Sequence, residues 1–131
     1  MTEPCFCDSN KNFKQCCEPF LKGNKVAKTP KQLMRSRYTA YASGNQGEYL
    51  LATWAPESCE GLTAISLSDK TYDWIKLEII DSSQKGNEGR VEFKAYYKTD
   101  NGLLNVLHEK SAFIRRDGRW FYVNGEVKIE P

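Results

Sequence analysis

Four of the five cysteines fall within thirteen residues: Cys5-Phe6-Cys7, an eight-residue loop, then Cys16-Cys17. Three chemistries use such a cluster. Disulfides need an oxidising compartment. The first 20 residues hold polar side chains and four cysteines where a secretory leader would hold an apolar run, so a cytoplasmic location is expected. Redox catalysis would take a C-x-x-C pair in a thioredoxin-like βαβ setting, and the cluster has neither. A tetrahedral zinc site needs four donors about 2.0–2.3 Å from the ion, which four thiolates supply. The intervening loop, Asp8 to Gln15, is polar. Asp8 and Asn10 tolerate the left-handed backbone of a chain folding back over a metal, and Phe13 can lid the site. Zinc is the expected occupant.

The rest of the chain offers fewer reactive groups. His108 is the only histidine, which excludes a histidine-rich metal site. Its neighbour Glu109 points to the opposite face of any strand that carries both, because strand side chains alternate. Glu109 shares its face with Leu107, Ser111 and Phe113. Among Phe113, Tyr38 and Trp54, a buried carboxylate would have its pKa raised and could serve as a general base. Paired with Arg35 or Arg37 it would have its pKa lowered and be structural. The ion pair is the expectation, and Glu109 and His108 stay as weak catalytic candidates. Cys59 has no visible base nearby and reads as an ordinary free thiol.

These residues need elements to hold them. The chain has 131 residues, 40% hydrophobic and 12% aromatic, enough for one domain with a small appendage. No run of about 18 apolar residues exists, so no membrane helix is expected. Thr29-Pro30 starts a helix, with Thr as N-cap and Pro in the first turn. Leu33, Met34, Arg37, Tyr38 and Tyr41 share one face of it, and Gly44 ends it. A second helix is predicted from Gly47 to Trp54, stopped by Pro56, and residues 57–72 are predicted as loop. From Tyr72 the period falls to two. Strands are predicted at Trp74–Ile80, Arg90–Lys98, Leu104–Arg116 and Arg119–Val123, with turns at 85–89, 100–102 and 117–118 and a further break at Asn124-Gly125. Helices followed by four antiparallel strands give an α+β fold, a curved sheet wrapped around the helices. The chain divides into a cysteine knuckle (1–20), a linker (21–28) and an α+β domain (29–131), and the last is expected to fold without the knuckle.

Two resemblances extend this reading. Cys5-x-Cys7-x-Ser9-x-x-x-Phe13-x-x-Cys16-Cys17 resembles the SEC-C motif, with Asp8 and Asn10 where that motif usually has glycine. It implies zinc on Cys5, Cys7, Cys16 and Cys17, and a protein-docking role. Leu33-Met34-Arg35-Ser36-Arg37-Tyr38-x-Ala40-Tyr41, Tyr49-Leu50-x-x-Thr53-Trp54, Leu107-His108-Glu109-x-Ser111-x-Phe113 and Gly118-Arg119-Trp120-x-Tyr122 resemble the bacterial YchJ family. That implies the cone of the ketosteroid isomerase and nuclear transport factor 2 superfamily, and no particular reaction. Many YchJ-family members carry a second cysteine cluster after the cone, and this sequence reaches Pro131 without one.

Charge adds a hint about partners. Residues 1–44 hold eight Lys or Arg against three Asp or Glu, whereas residues 45–131 hold eleven against fourteen. Lys11, Lys14, Lys22, Lys25, Lys28 and Lys31 on the front read phosphate charge and not base identity, which suits weak RNA or ribosome contact. The leading expectation is a protein that docks to a partner through its zinc knuckle, near translation or export. The alternative is an enzyme that uses the cone pocket for proton transfer or hydrolysis. The discriminating feature is the cone: a closed core filled by Trp54, Phe93, Phe113 and Trp120 favours docking, and an open cavity with an unpaired Glu109 favours the enzyme.

Overall fold

The computed structural model describes residues 4–7, 9–68 and 72–130. Its elements are α1 (Glu18–Leu21), α2 (Pro30–Ser43), α3 (Gly47–Ala52), a 3₁₀ turn (Pro56–Ser58), α4 (Ala64–Ser68), β1 (Asp73–Lys85), β2 (Glu88–Lys98), β3 (Leu104–Arg116) and β4 (Arg119–Glu130). The four strands form one antiparallel sheet in the order β1-β2-β3-β4. The predicted α+β architecture is the one observed. No helix among the described residues is long and apolar enough to cross a membrane.

α2 begins and ends where its caps dictate. The Thr29 hydroxyl accepts from the Gln32 amide at 3.1 Å, Pro30 opens the first turn, and Gly44 takes φ 75° at the C-terminus. The helix packs against β1, β2 and β4 on one side and α1 and α3 on the other. Both sides are therefore covered, and Leu33, Ser36, Thr39 and Ala40 are as deeply buried as Tyr38. In β2 the alternation is as read: Val91, Phe93, Ala95 and Tyr97 are buried, and the residues between them are half-exposed.

Several elements differ from expectation. Residues 57–72 are not all loop, since they include α4 and part of the 3₁₀ turn; residues 69–71 lie outside the described set, as does Asp8. α3 ends at Ala52 instead of Trp54. The following segment runs beside β4, with the Tyr122 amide donating to the Thr53 carbonyl and the Ala55 amide donating to the Tyr122 carbonyl, both at 2.8 Å. Trp54 thus becomes a bridge residue against Tyr122. The junction of knuckle and linker carries more structure than its composition predicts: α1 spans it and is clamped by a Glu18–Lys22 ion pair at 2.9 Å, and Trp120 Nε1 donates to the Lys28 carbonyl at 3.2 Å.

β4 continues past Val123 to Glu130. Asn124-Gly125 does not turn, because a register shift between Ala112 and Phe113 leaves Val123 as an extra residue in β4. Such a bulge switches the parity of the strand. Trp120 and Tyr122 face inward before it, and Gly125 lies opposite Ser111 and Val127 opposite Glu109 after it. This puts two β4 positions, Tyr122 and Gly125, beside one β3 carboxylate.

Candidate metal centre and cone cavity

The Sγ atoms of Cys5, Cys7, Cys16 and Cys17 all lie within 4.8 Å of one another. Cys7 to Cys16 is 3.6 Å and Cys16 to Cys17 is 3.9 Å. A tetrahedron with metal–sulfur bonds of about 2.3 Å has edges of about 3.8 Å. These two spacings match such edges and no other exceeds them by more than about 1 Å, so the four thiols are gathered closely enough to hold one tetrahedral metal, and none is in a disulfide. Asn10 sits at φ 66°, in the left-handed conformation the loop was expected to use. The Cys5 amide donates to the Lys11 carbonyl at 2.9 Å, and the Cys16 amide donates to that of Asn12 at 3.0 Å, closing the loop over the sulfurs.

Cys7, Cys16 and Cys17 differ in acidity. Hydrogen bonds from Cys17 and then Cys5 pull Cys7 far below the ordinary thiol range. The bonds with Cys5 and Cys7 push Cys17 far above it, and burial pushes Cys16 up to about 11. Four thiolates coexist here only around a cation, so the donor set fits a divalent metal held by all four cysteines. The role of such a metal is structural, since four protein sulfurs leave no open coordination position.

The knuckle is bound to α2. Arg35 Nη1 donates to the Cys7 carbonyl at 2.6 Å, and the Cys5 thiol lies 3.7 Å from the Thr39 hydroxyl. Cys5, Cys7 and Cys17 belong to the same buried cluster as Leu33, Phe93 and Trp120, with Phe13 and Phe20 packed against it. Metal site and cone share one core.

On the other side of α2 lies a cavity of about 220 Å³. Tyr38, Tyr41, Trp54, Trp74, Phe93 and Tyr122 line it, and Arg37 and Glu109 are its charged groups. The expected ion pair is absent: among the described residues neither Arg35 nor Arg37 forms a salt bridge with Glu109. Glu109 accepts instead from Ser111 Oγ at 2.6 Å and Tyr122 OH at 2.8 Å, both at Oε2. Arg37 donates from Nη1 to the Leu50 carbonyl at 2.8 Å and to Thr53 Oγ1 at 2.7 Å, and its guanidinium lies 4.8 Å from the Trp54 and Tyr122 ring centres. Burial lowers the pKa of Arg37 and raises those of Tyr41 and Tyr122, and the charge of Glu109 raises Tyr122 further.

The pair is missing because each group is held elsewhere. Positions two apart on a helix lie about 200° around the axis, so only one of the two arginines can face Glu109, and that one, Arg37, is turned to the Leu50 carbonyl and Thr53 while Ser111 and Tyr122 take the carboxylate. Arg35 went to the knuckle and lies outside the cavity lining, whereas Arg37, Tyr38, Trp54 and Glu109 all line it. His108 points to the other sheet face as expected, 2.7 Å from Glu92 Oε2. Ser111 was legible as a neighbour of Glu109 from strand spacing. Tyr122 was not, because its approach depends on the β4 register.

Gly125 makes the room that Glu109 occupies. A Cβ built there would overlap the carboxyl group and lie 2.7 Å from its Cδ. Gly125→Ala is expected to push Glu109 off its two hydroxyls at a cost of roughly 1–3 kcal/mol, the range for overpacking. Urea unfolding would measure it. A loss below about 0.5 kcal/mol, the scale of an ordinary surface change, would show that the carboxylate is not held in place.

The comparisons agree with this architecture. The family described as YchJ, middle NTF2-like domain, matches residues 29–125, and the SEC-C motif matches residues 1–19. A UPF0225 protein of Serratia proteamaculans is 39% identical over 136 residues, an alignment covering 100% of this chain and 87% of that one. A UPF0225 protein of Pectobacterium carotovorum is 38% identical, covering 95% and 84%. The solution structure of a SEC-C motif containing protein from Rhodopseudomonas palustris superposes with a TM-score of 0.86 at 35% identity, covering 93% of this chain and 96% of that one. With the four cysteines gathered at one end and an NTF2-like sheet around α2 at the other, the chain belongs to the YchJ (UPF0225) family.

Proposed function

We propose that the protein binds a small ligand in the cone cavity and that a zinc ion on Cys5, Cys7, Cys16 and Cys17 braces the helix forming the cavity's roof. The observation that carries the reading is the cavity itself. It holds about 220 Å³ of space between a buried arginine and a buried carboxylate that do not pair directly. Buried charged groups held only by neutral partners, with no opposite charge against them, are seldom retained for stability alone, because desolvation costs several kcal/mol per ion. Ligand sites are concave, mostly apolar and fitted with a few placed polar groups, which describes this one. The zinc assignment rests on four unpaired thiols gathered within reach of one tetrahedral ion, and a reducing, cytoplasmic setting keeps such thiols free.

Elemental analysis of the purified protein should find about one zinc per chain. Metal-free protein with an ordered N-terminal loop would refute the centre. For the cavity, one- and two-ring aromatic compounds should change the fluorescence of Trp54 and Trp74, which line it. Leu107→Trp, which fills the cavity from its half-buried rim, should abolish the response. A response that survives Leu107→Trp would place binding elsewhere.

A second reading keeps the docking role, on the knuckle's outer face. Phe6 is 42% exposed there, edge-on to Phe13 at 6.0 Å. An exposed aromatic on a knuckle whose loop carries Lys11 and Lys14 suits an acidic, partly apolar protein surface better than RNA alone. Crosslinking in cells to a partner that Phe6→Ser abolishes, with zinc retained, would support it.

A further inference from the structure

We propose that the cone cavity selects an uncharged, planar aromatic or heteroaromatic ligand that donates one N–H or O–H to Glu109 and accepts a hydrogen bond from Arg37; this rests on the cavity being a ligand site. Size sets the first limit. A cavity of about 150 Å³ suffices for benzene, so 220 Å³ takes one or two fused rings. Wall chemistry sets the second. Tyr38, Trp54, Trp74 and Tyr122 offer ring faces and edges that favour a flat, polarisable guest over a bulky aliphatic one.

The polar groups set the third limit, and it is the discriminating one. Ser111 and Tyr122 both donate to Glu109 Oε2, which leaves Oε1 with no hydrogen-bond partner among the described residues. Both hydrogen bonds from Arg37 to α3 and its C-terminal segment leave from Nη1, so the fork keeps further donors, and the guanidinium also interacts with the Tyr41 hydroxyl. The cavity's charged groups are thus one acceptor and one donor of opposite charge, and its lining also includes Tyr41 and Trp54, whose buried indole Nε1 has no hydrogen-bond partner among the described residues. An anionic guest placed against Arg37 meets Glu109, and a cationic guest placed against Glu109 meets Arg37. In a water-poor cavity such like-charge encounters are poorly screened. The aromatic cage that would otherwise attract a cation is already engaged, because Arg37 itself lies against Trp54 and Tyr122. A neutral guest with a donor and an acceptor on one edge satisfies both groups and meets neither penalty.

The test is calorimetry on the full, metal-loaded chain with four two-ring probes of similar size: 2-quinolone, whose N–H and C=O share an edge, naphthalene, 2-naphthoate and 2-naphthylmethylammonium. The neutral lactam should bind at least tenfold more tightly than either charged probe and more tightly than naphthalene. Glu109→Gln, which removes a charge and keeps the shape, should improve 2-naphthoate binding several-fold and weaken the lactam. A purely structural Glu109 would not produce that exchange of preference. Tighter binding of either charged probe by the native chain would overturn the inference and leave the cavity reading standing. Failure of all four probes, naphthalene included, would overturn both. If Glu109→Gln is too unstable to measure, the order of the four probes on the native chain decides alone.

Discussion

Replacing Cys17 by Ser should strip the metal and loosen the whole N-terminal third of the chain. Cys17 is 1% exposed and is the last ligand before α1, so its sulfur anchors both the loop and the start of the linker. Structural zinc contributes on the order of 10 kcal/mol in small zinc modules. Here part of that is shared with packing, because Cys5, Cys7 and Cys17 sit in the same cluster as Leu33 and Phe93. A net loss of at least 3 kcal/mol is expected, or roughly 10 °C or more in melting temperature. Zinc content should fall below about a tenth of an equivalent if the three remaining thiols cannot retain it. Acid should act in the same direction. Burial holds the free Cys16 thiol up to about 11, so loading the site at neutral pH expels protons, and affinity falls as pH falls. Retention of full zinc by Cys17→Ser would overturn the four-sulfur assignment. The same coupling bears on residues 29–131 expressed alone. The sequence predicts that they fold, and the exposed flank of α2 at Thr39 and Leu33 should cost that fragment several °C in melting temperature.

Much of this was readable in the sequence, and the boundary between what was and was not is physical. The cysteine site is legible because metal ligation demands particular atoms at close range, and the short loop between Cys7 and Cys16 supplies them locally. α2 is legible because its signals, Thr29, Pro30 and Gly44, act on adjacent backbone. The face of β2 follows from alternation alone. What was missed depends on partners far along the chain. Asn124-Gly125 has the composition of a turn, and only the bulge at Val123 and the demand for space beside Glu109 make it strand. The partner of Glu109 was misassigned because composition offers two nearby arginines. The helix turns one of them to the knuckle, while the cross-strand register delivers Tyr122 and the same strand face supplies Ser111. Trp54 looked like the end of a helix because nothing local reveals that Thr53 to Ala55 will pair with β4.

Arg37→Ala should be the most damaging change in the cone, and its comparison with Arg37→Met separates stability from function. Arg37 is 2% exposed, joins α2 to Leu50 and Thr53, and lies against two aromatic rings. Truncation to Ala loses two hydrogen bonds from a charged donor, each contributing about 1.5–3 kcal/mol, and leaves a void between Trp54 and Tyr122. These effects overlap, and a net loss of roughly 3–4 kcal/mol is expected, read by urea unfolding. Met at this position fills the void and removes the cost of burying a charge, while Thr53 Oγ1 still donates to the Tyr49 carbonyl at 2.8 Å and reaches that of Leu50 at 3.3 Å. Apolar replacement of buried charged groups at constant volume is often neutral or stabilising when no opposite charge is left stranded, and Glu109 here is held by Ser111 and Tyr122 and not by Arg37. Arg37→Met should therefore recover at least half of the loss. If the guanidinium is there to hold a ligand, Arg37→Met should also fail to bind the neutral lactam while melting near the native temperature. An Arg37→Met as unstable as Arg37→Ala would mean that the guanidinium's own hydrogen bonds hold α3 in place, and that the buried charge serves the fold instead of the cavity.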